Sequence, residues 1–82
     1  MDIRKLFGVN VREVRQARGL SQEELADEAG IHRTYVSQIE RGVINASMTT
    51  IDKLAISLGV KPSMFFANWQ PPKDKPKRSS KD

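Results

Sequence analysis

An all-α domain of five short helices is what this 82-residue sequence predicts. Three observations predict it. Apolar residues recur at helical spacing in one segment after another, cap residues and glycines punctuate those segments, and nothing reads as a β-strand of useful length. The length suits one domain with one hydrophobic core, which in a chain of this size supplies no more than about 3 to 5 kcal/mol. Association between copies would therefore help the fold.

The first helix follows from Ile3, Leu6, Phe7, Val11, Val14 and Ala17, with Arg4, Lys5, Arg12, Arg15 and Arg18 largely between them; Gly19 stops it. The second is opened by Ser21 with Glu24 three residues on, a capping box whose carboxylates suit the positive end of the helix dipole. It should run from about Gln22 to Ala29, with Leu25, Ala26 and Ala29 inward. Gly30 and Ile31 leave only a short connection before the third segment, His32 to Arg41, which carries Tyr35, Val36 and Ile39 on one arc and ends at Gly42. Ser47 can cap a fourth helix with Ile51, Leu54, Ala55 and Leu58 buried before Gly59. Pro62 fits the first turn of a fifth, ending near Asn68. Residues 1–69 thus read as the folded domain. Residues 70–82 hold three prolines and alternating lysines with no apolar anchor, and read as a disordered basic tail.

Charge divides unevenly. Lys73, Lys75, Lys77, Arg78 and Lys81 against Asp74 and Asp82 give the tail +3 of the chain's net +4. The body is nearly neutral, so any affinity it has for nucleic acid must come from where its charges sit. The tail's lysines read either as a solvated segment or as a source of sequence-independent phosphate affinity. There is no cysteine and only one histidine, which excludes disulfides, thiolate or multi-histidine metal sites and cysteine nucleophiles. No paired histidines, phosphate-binding glycine loop or carboxylate pair in an evident pocket points to catalysis, so we expect no enzyme, no metal, no cofactor and no small-molecule ligand. No apolar stretch suits a signal peptide or a membrane span, as expected of a cytoplasmic protein.

Two helices joined by a tight glycine turn need a small residue at their crossing and aliphatic residues where the second helix packs back. Ala26, Gly30, Val36 and Ile39 stand at those offsets. On the third helix a step of about 100° per residue gathers Arg33, Thr34, Ser37, Gln38 and Arg41 within an arc of about 140°. Such a face can address duplex DNA: an arginine pairs bidentately with guanine, a glutamine with adenine, and a threonine methyl meets that of thymine.

The stretches Ser21-Gln22-Glu23-Glu24-Leu25-Ala26 and Ile39-Glu40-Arg41-Gly42 resemble the phage repressor and Cro-like (XRE-type) helix-turn-helix family. The resemblance covers about residues 6–67 and implies a lambda-repressor-like, five-helix DNA-binding domain whose second and third helices form the helix-turn-helix. It implies a transcriptional regulator that works as a homodimer on a pseudo-palindromic operator in double-stranded DNA. By the same likeness, Arg33, Thr34, Ser37 and Gln38 make base and groove contacts, Gln22 contacts a phosphate or a base, Arg41 and Asn45 contact phosphate, and Arg15 pairs with Glu40 as a structural ion pair. Tyr35 packs against the domain with its hydroxyl toward a phosphate, while His32 reads equally as a phosphate contact or a solvated turn residue. The string from His32 to Gly42 is similar to restriction-modification controller proteins and also to many stand-alone regulators. An antitoxin or coactivator-type adaptor uses the same fold and is the alternative.

Met64, Phe65, Phe66 and Trp69 place more apolar bulk in the last helix than so small a domain can bury. The expected dimer interface draws on Met64 and Phe65 with Ile44 and Met48. The acids Glu23, Glu24, Asp27 and Glu28 read as an exposed face of the second helix, or, as in activating members of the family, as a surface that touches RNA polymerase.

Overall fold

The computed structural model describes residues 2–70. The tail expectation falls, but for Gln70, outside the described residues. Four α-helices are present: α1 (Ile3–Ala17), α2 (Gln22–Ala29), α3 (Arg33–Arg41) and α4 (Met48–Leu58). A 3₁₀ turn, Pro62–Phe66, follows them.

Each helix begins on a side chain that accepts from an otherwise orphaned backbone N–H. Asp2 opens α1 and accepts from Arg4 N; hydrogen bonding by the Arg4 side chain, then its backbone, lowers the Asp2 carboxyl from 3.8 to about 2. Ser21 and Glu24 form both bonds of a capping box at α2, and Ser47 accepts from Thr50 N at α4. Gly30 closes α2 at φ 70°, with nothing within 4 Å of the Cβ it lacks; backbone conformation, and not space, requires glycine there.

One core joins the elements. Phe7 and Val11 of α1, Leu25, Ala26 and Ala29 of α2, Val36 and Ile39 of α3, Leu54, Ala55 and Leu58 of α4, and Phe65 make a single buried cluster. Phe7 anchors its C-terminal side, meeting Phe65 edge-on at 5.4 Å and stacking on Phe66 at 5.3 Å between centroids. At the crossing of α1 and α3, a Cβ on Gly8 would meet the Ile39 carbonyl oxygen and lie 2.7 Å from that of Glu40. The two backbones are in direct contact.

Two expectations change. The fifth element is a 3₁₀ turn ending at Phe66, not an α-helix reaching Asn68. It is five residues long and no side chain caps it; bonds from Met64 N to Lys61 O and from Ala67 N to Met64 O satisfy it locally, and Ala67 is already extended. Phe65 is 0% exposed and belongs to the core, so it offers no surface to a second copy. Both adjacent aromatics of this turn reach Phe7, but only one is fully buried, and helical periodicity alone does not say which.

Candidate nucleic-acid interface

The recognition face is built on α3. His32 caps its start, its Nδ1 accepting from Thr34 N at 3.4 Å, so this side chain is engaged with the helix terminus. Arg33, Thr34 and Arg41 are exposed, and Ser37 and Gln38 are half-buried. Among the described residues none of these five side chains has a hydrogen-bond or ion-pair partner, leaving a guanidinium pair, an amide and two hydroxyls open to an incoming ligand. The opposite arc, Val36, Ile39 and Glu40, is buried.

A polar network beneath that face fixes its angle. The Arg15 guanidinium donates from Nε to Glu40 Oε2 at 2.6 Å and from Nη2 to Glu40 Oε1 at 2.9 Å, a bidentate pair with both residues buried. Arg15 also donates from Nη1 to the Leu20 carbonyl at 2.7 Å. The hydrogen bond to Glu40 raises the Arg15 pKa, against the opposing effect of burial. Gln22, the first residue of α2, donates from Nε2 to Glu40 Oε1 at 3.0 Å. One carboxylate thus ties together α1, the start of α2 and the end of α3. No buried side-chain polar atom among the described residues lacks a partner.

Tyr35 is half-buried, and its hydroxyl accepts from Thr50 Oγ1 at 3.5 Å; Thr50 in turn accepts from Ser47 Oγ at 3.0 Å. The chain of hydroxyls runs from the first turn of α4 to the edge of α3 and leaves the phenolic proton free to donate. Asn45 is exposed in the loop between α3 and α4. Residues 22, 33, 34, 37, 38 and 41 thus gather on α3 and the adjoining α2 terminus, and Tyr35 and Asn45 flank them on the α4 side.

The residues expected to pair two copies lie elsewhere. Met48 is 86% and Met64 48% exposed, Trp69 is 41% exposed, and Ile44 is half-buried. Ile51 and Phe66 are shared by two shallow apolar depressions, one reaching Ile3 and Ile44 and the other Met48 and Pro62. Two contributors to the packing of α1, one against α3 and one against the end of α4, were missed from sequence. Gly8 is legible only as a helix-weakening residue until its approach to α3 is seen, and Arg18, which donates to the Leu58 carbonyl at 2.6 Å, looks like any exposed base. Among the described residues no cluster of His, Cys, Asp or Glu could hold a metal, and no helix is long and apolar enough to cross a membrane.

Comparison with protein-family models matches residues 11–65 to the helix-turn-helix family. The chain is 50% identical to control protein C.BamHI of Bacillus amyloliquefaciens over 62 residues, covering 74% of this chain and 76% of that protein. It is 43% identical to control protein C.SmaI of Serratia marcescens over 58 residues, covering 71% and 69% respectively. Among solved structures, the restriction-modification controller protein C.AhdI of Aeromonas hydrophila superposes with a TM-score of 0.75 at 46% identity, covering 77% of this chain and 96% of that one.

Proposed function

The chain belongs to the helix-turn-helix family and is a transcription regulator homologous to restriction-modification controller proteins, and from that premise we propose that it works as a cytoplasmic homodimer on a pseudo-palindromic operator beside its own gene. Each copy lays α3 in the major groove, with the two helices roughly 34 Å apart. The observation that carries this reading is the unpartnered arc of α3. Arg33, Thr34, Ser37 and Gln38 face outward with no partner among the described residues, on a helix whose other side is locked into the core.

In this assignment Arg33 and Gln38 make bidentate contacts to base edges, while Thr34 and Ser37 offer a methyl and a hydroxyl. Arg41, Asn45 and the free phenolic proton of Tyr35 engage phosphates on either side, and Gln22 presents its amide there while Glu40 holds it. Residues 1–69 serve as the binding and pairing domain. The pairing surface is Met48, Met64 and Ile44, joined by Trp69 in place of the buried Phe65. The exposed acids of α2, Glu23, Glu24, Asp27 and Glu28, are the surface open to RNA polymerase where bound copies activate.

Affinity for the chain's own upstream DNA and for a scrambled duplex, measured across a salt series for the wild type and Arg33→Ala, tests the assignment. We expect the wild type to prefer the upstream sequence, and Arg33→Ala to lose about 1 to 3 kcal/mol of that preference with its helical signal intact. Equal binding of both duplexes by both proteins would instead favour the adaptor alternative.

A further inference from the structure

We propose that Asn10 is the positioning residue of the pairing surface: its amide sets where the segment carrying Met64 and Trp69 stands, and with it the strength of pairing between copies. The inference rests on the pairing proposed above.

Asn10 lies on α1, and its Nδ2 donates to two backbone carbonyls of the C-terminal segment, Phe65 O at 2.9 Å and Ala67 O at 3.1 Å. Only the NH2 of the side chain can make both bonds, because each partner is an acceptor and each needs its own hydrogen. Among the described residues this is the sole side chain that hydrogen-bonds the backbone of residues 62–69. The segment's other hydrogen bonds are local, from Met64 N to Lys61 O, Ala67 N to Met64 O and Trp69 N to Phe66 O. It is a five-residue 3₁₀ turn without a capping side chain, after which Ala67 is extended and Asn68 takes a positive φ of 68°. Phe65 in the core and Phe66 stacked on Phe7 pin the turn itself to α1, but neither ring holds the residues that follow Phe66. The two bonds from Asn10 fix the carbonyls of Phe65 and Ala67, and with them the course of the chain from Met64 to Trp69. Met64 and Trp69, about half exposed on either side of the anchored carbonyls, are therefore held in one presentation before a partner arrives. A surface ordered in advance does not lose that ordering entropy on association.

Asn10→Asp tests this in the full chain. It keeps the shape but sets carboxylate oxygens against two carbonyls. Asn10→Ala, which leaves carbonyls that water can reach, serves where the aspartate variant fails to fold. Two readouts are needed: the dimer dissociation constant by sedimentation, and the emission of Trp69, the chain's single tryptophan. Trp69 lies in this segment and lines one depression with Leu6 of α1. We expect the dissociation constant to rise by about tenfold or more, with Trp69 emission moving to longer wavelength and affinity for a single half-site duplex unchanged. Dissociation constant and emission both unchanged from wild type would overturn the proposal, as would an emission shift without weaker pairing. A wild type that stays monomeric at every concentration would defeat the pairing reading itself. The emission would then still report whether Asn10 holds the segment.

Discussion

The carboxylate of Glu40 illustrates how a charged residue on the DNA-reading helix can serve the fold alone. It faces inward, receives two bonds from Arg15 and one from Gln22, and is out of reach of a duplex. Removing one member of a buried pair leaves the other uncompensated, at about 3 to 5 kcal/mol. Glu40→Gln should accordingly lower the melting midpoint by more than about 10 °C or abolish cooperative folding. Replacing Arg15 and Glu40 together by apolar residues of similar size should recover much of that loss. A melting midpoint for Glu40→Gln within a degree or two of wild type, by circular dichroism, would contradict a structural pair. At this scale the sequence was legible where chemistry is local. The α3 arc of Arg33, Thr34, Ser37 and Gln38 follows from the helical step and stands exposed or half-buried as one face. Phe65 was not legible, because both adjacent aromatics of the short turn meet Phe7 and which of them is fully buried is a tertiary fact.

Helices this short depend on their ends. α2 spans eight residues and places Gln22 over the network, and its start is held by the reciprocal bonds of Ser21 and Glu24. The Ser21 backbone N–H, and then its hydroxyl, hold the Glu24 carboxyl below its ordinary 4.5. Because the folded value is the lower one, this contribution is complete above about pH 4.5 and fades as pH falls through the folded value. Glu24→Gln keeps a neutral capping partner that does not titrate. The difference in melting midpoint between wild type and Glu24→Gln should therefore shrink on going from about pH 7 to about pH 3. A difference that stayed constant across that range would remove the carboxylate from the cap. These ends were readable in advance, since Ser-x-x-Glu and the Gly-terminated segments are written in consecutive residues. The last element was not. Its tie to α1 runs through Asn10, 55 residues before Phe65, and no local pattern announces that pairing.

Taken whole, the domain has a thin core and a body of nearly neutral charge, and Met48, Met64 and Trp69, the proposed pairing surface, are among its exposed apolar side chains. If copies pair through that surface, folding and association are linked, and the melting midpoint should climb by several degrees over a roughly hundredfold rise in protein concentration. A midpoint independent of concentration would separate the fold from pairing. The contact of Gly8 with the carbonyls of Ile39 and Glu40 carries a further consequence for how such a protein can change its target. Packed helices usually adjust by sliding a little along one another, a shear that side chains of intermediate length allow. Where backbone meets backbone there is no side chain to give, so α1 and α3 move as one piece and the pitch of the reading helix cannot be retuned by drift in the core around it. New sequence preference must then come from exchanging the side chains that α3 presents, or from altering the distance and angle between two copies. Divergence among regulators built this way would be concentrated in those two places.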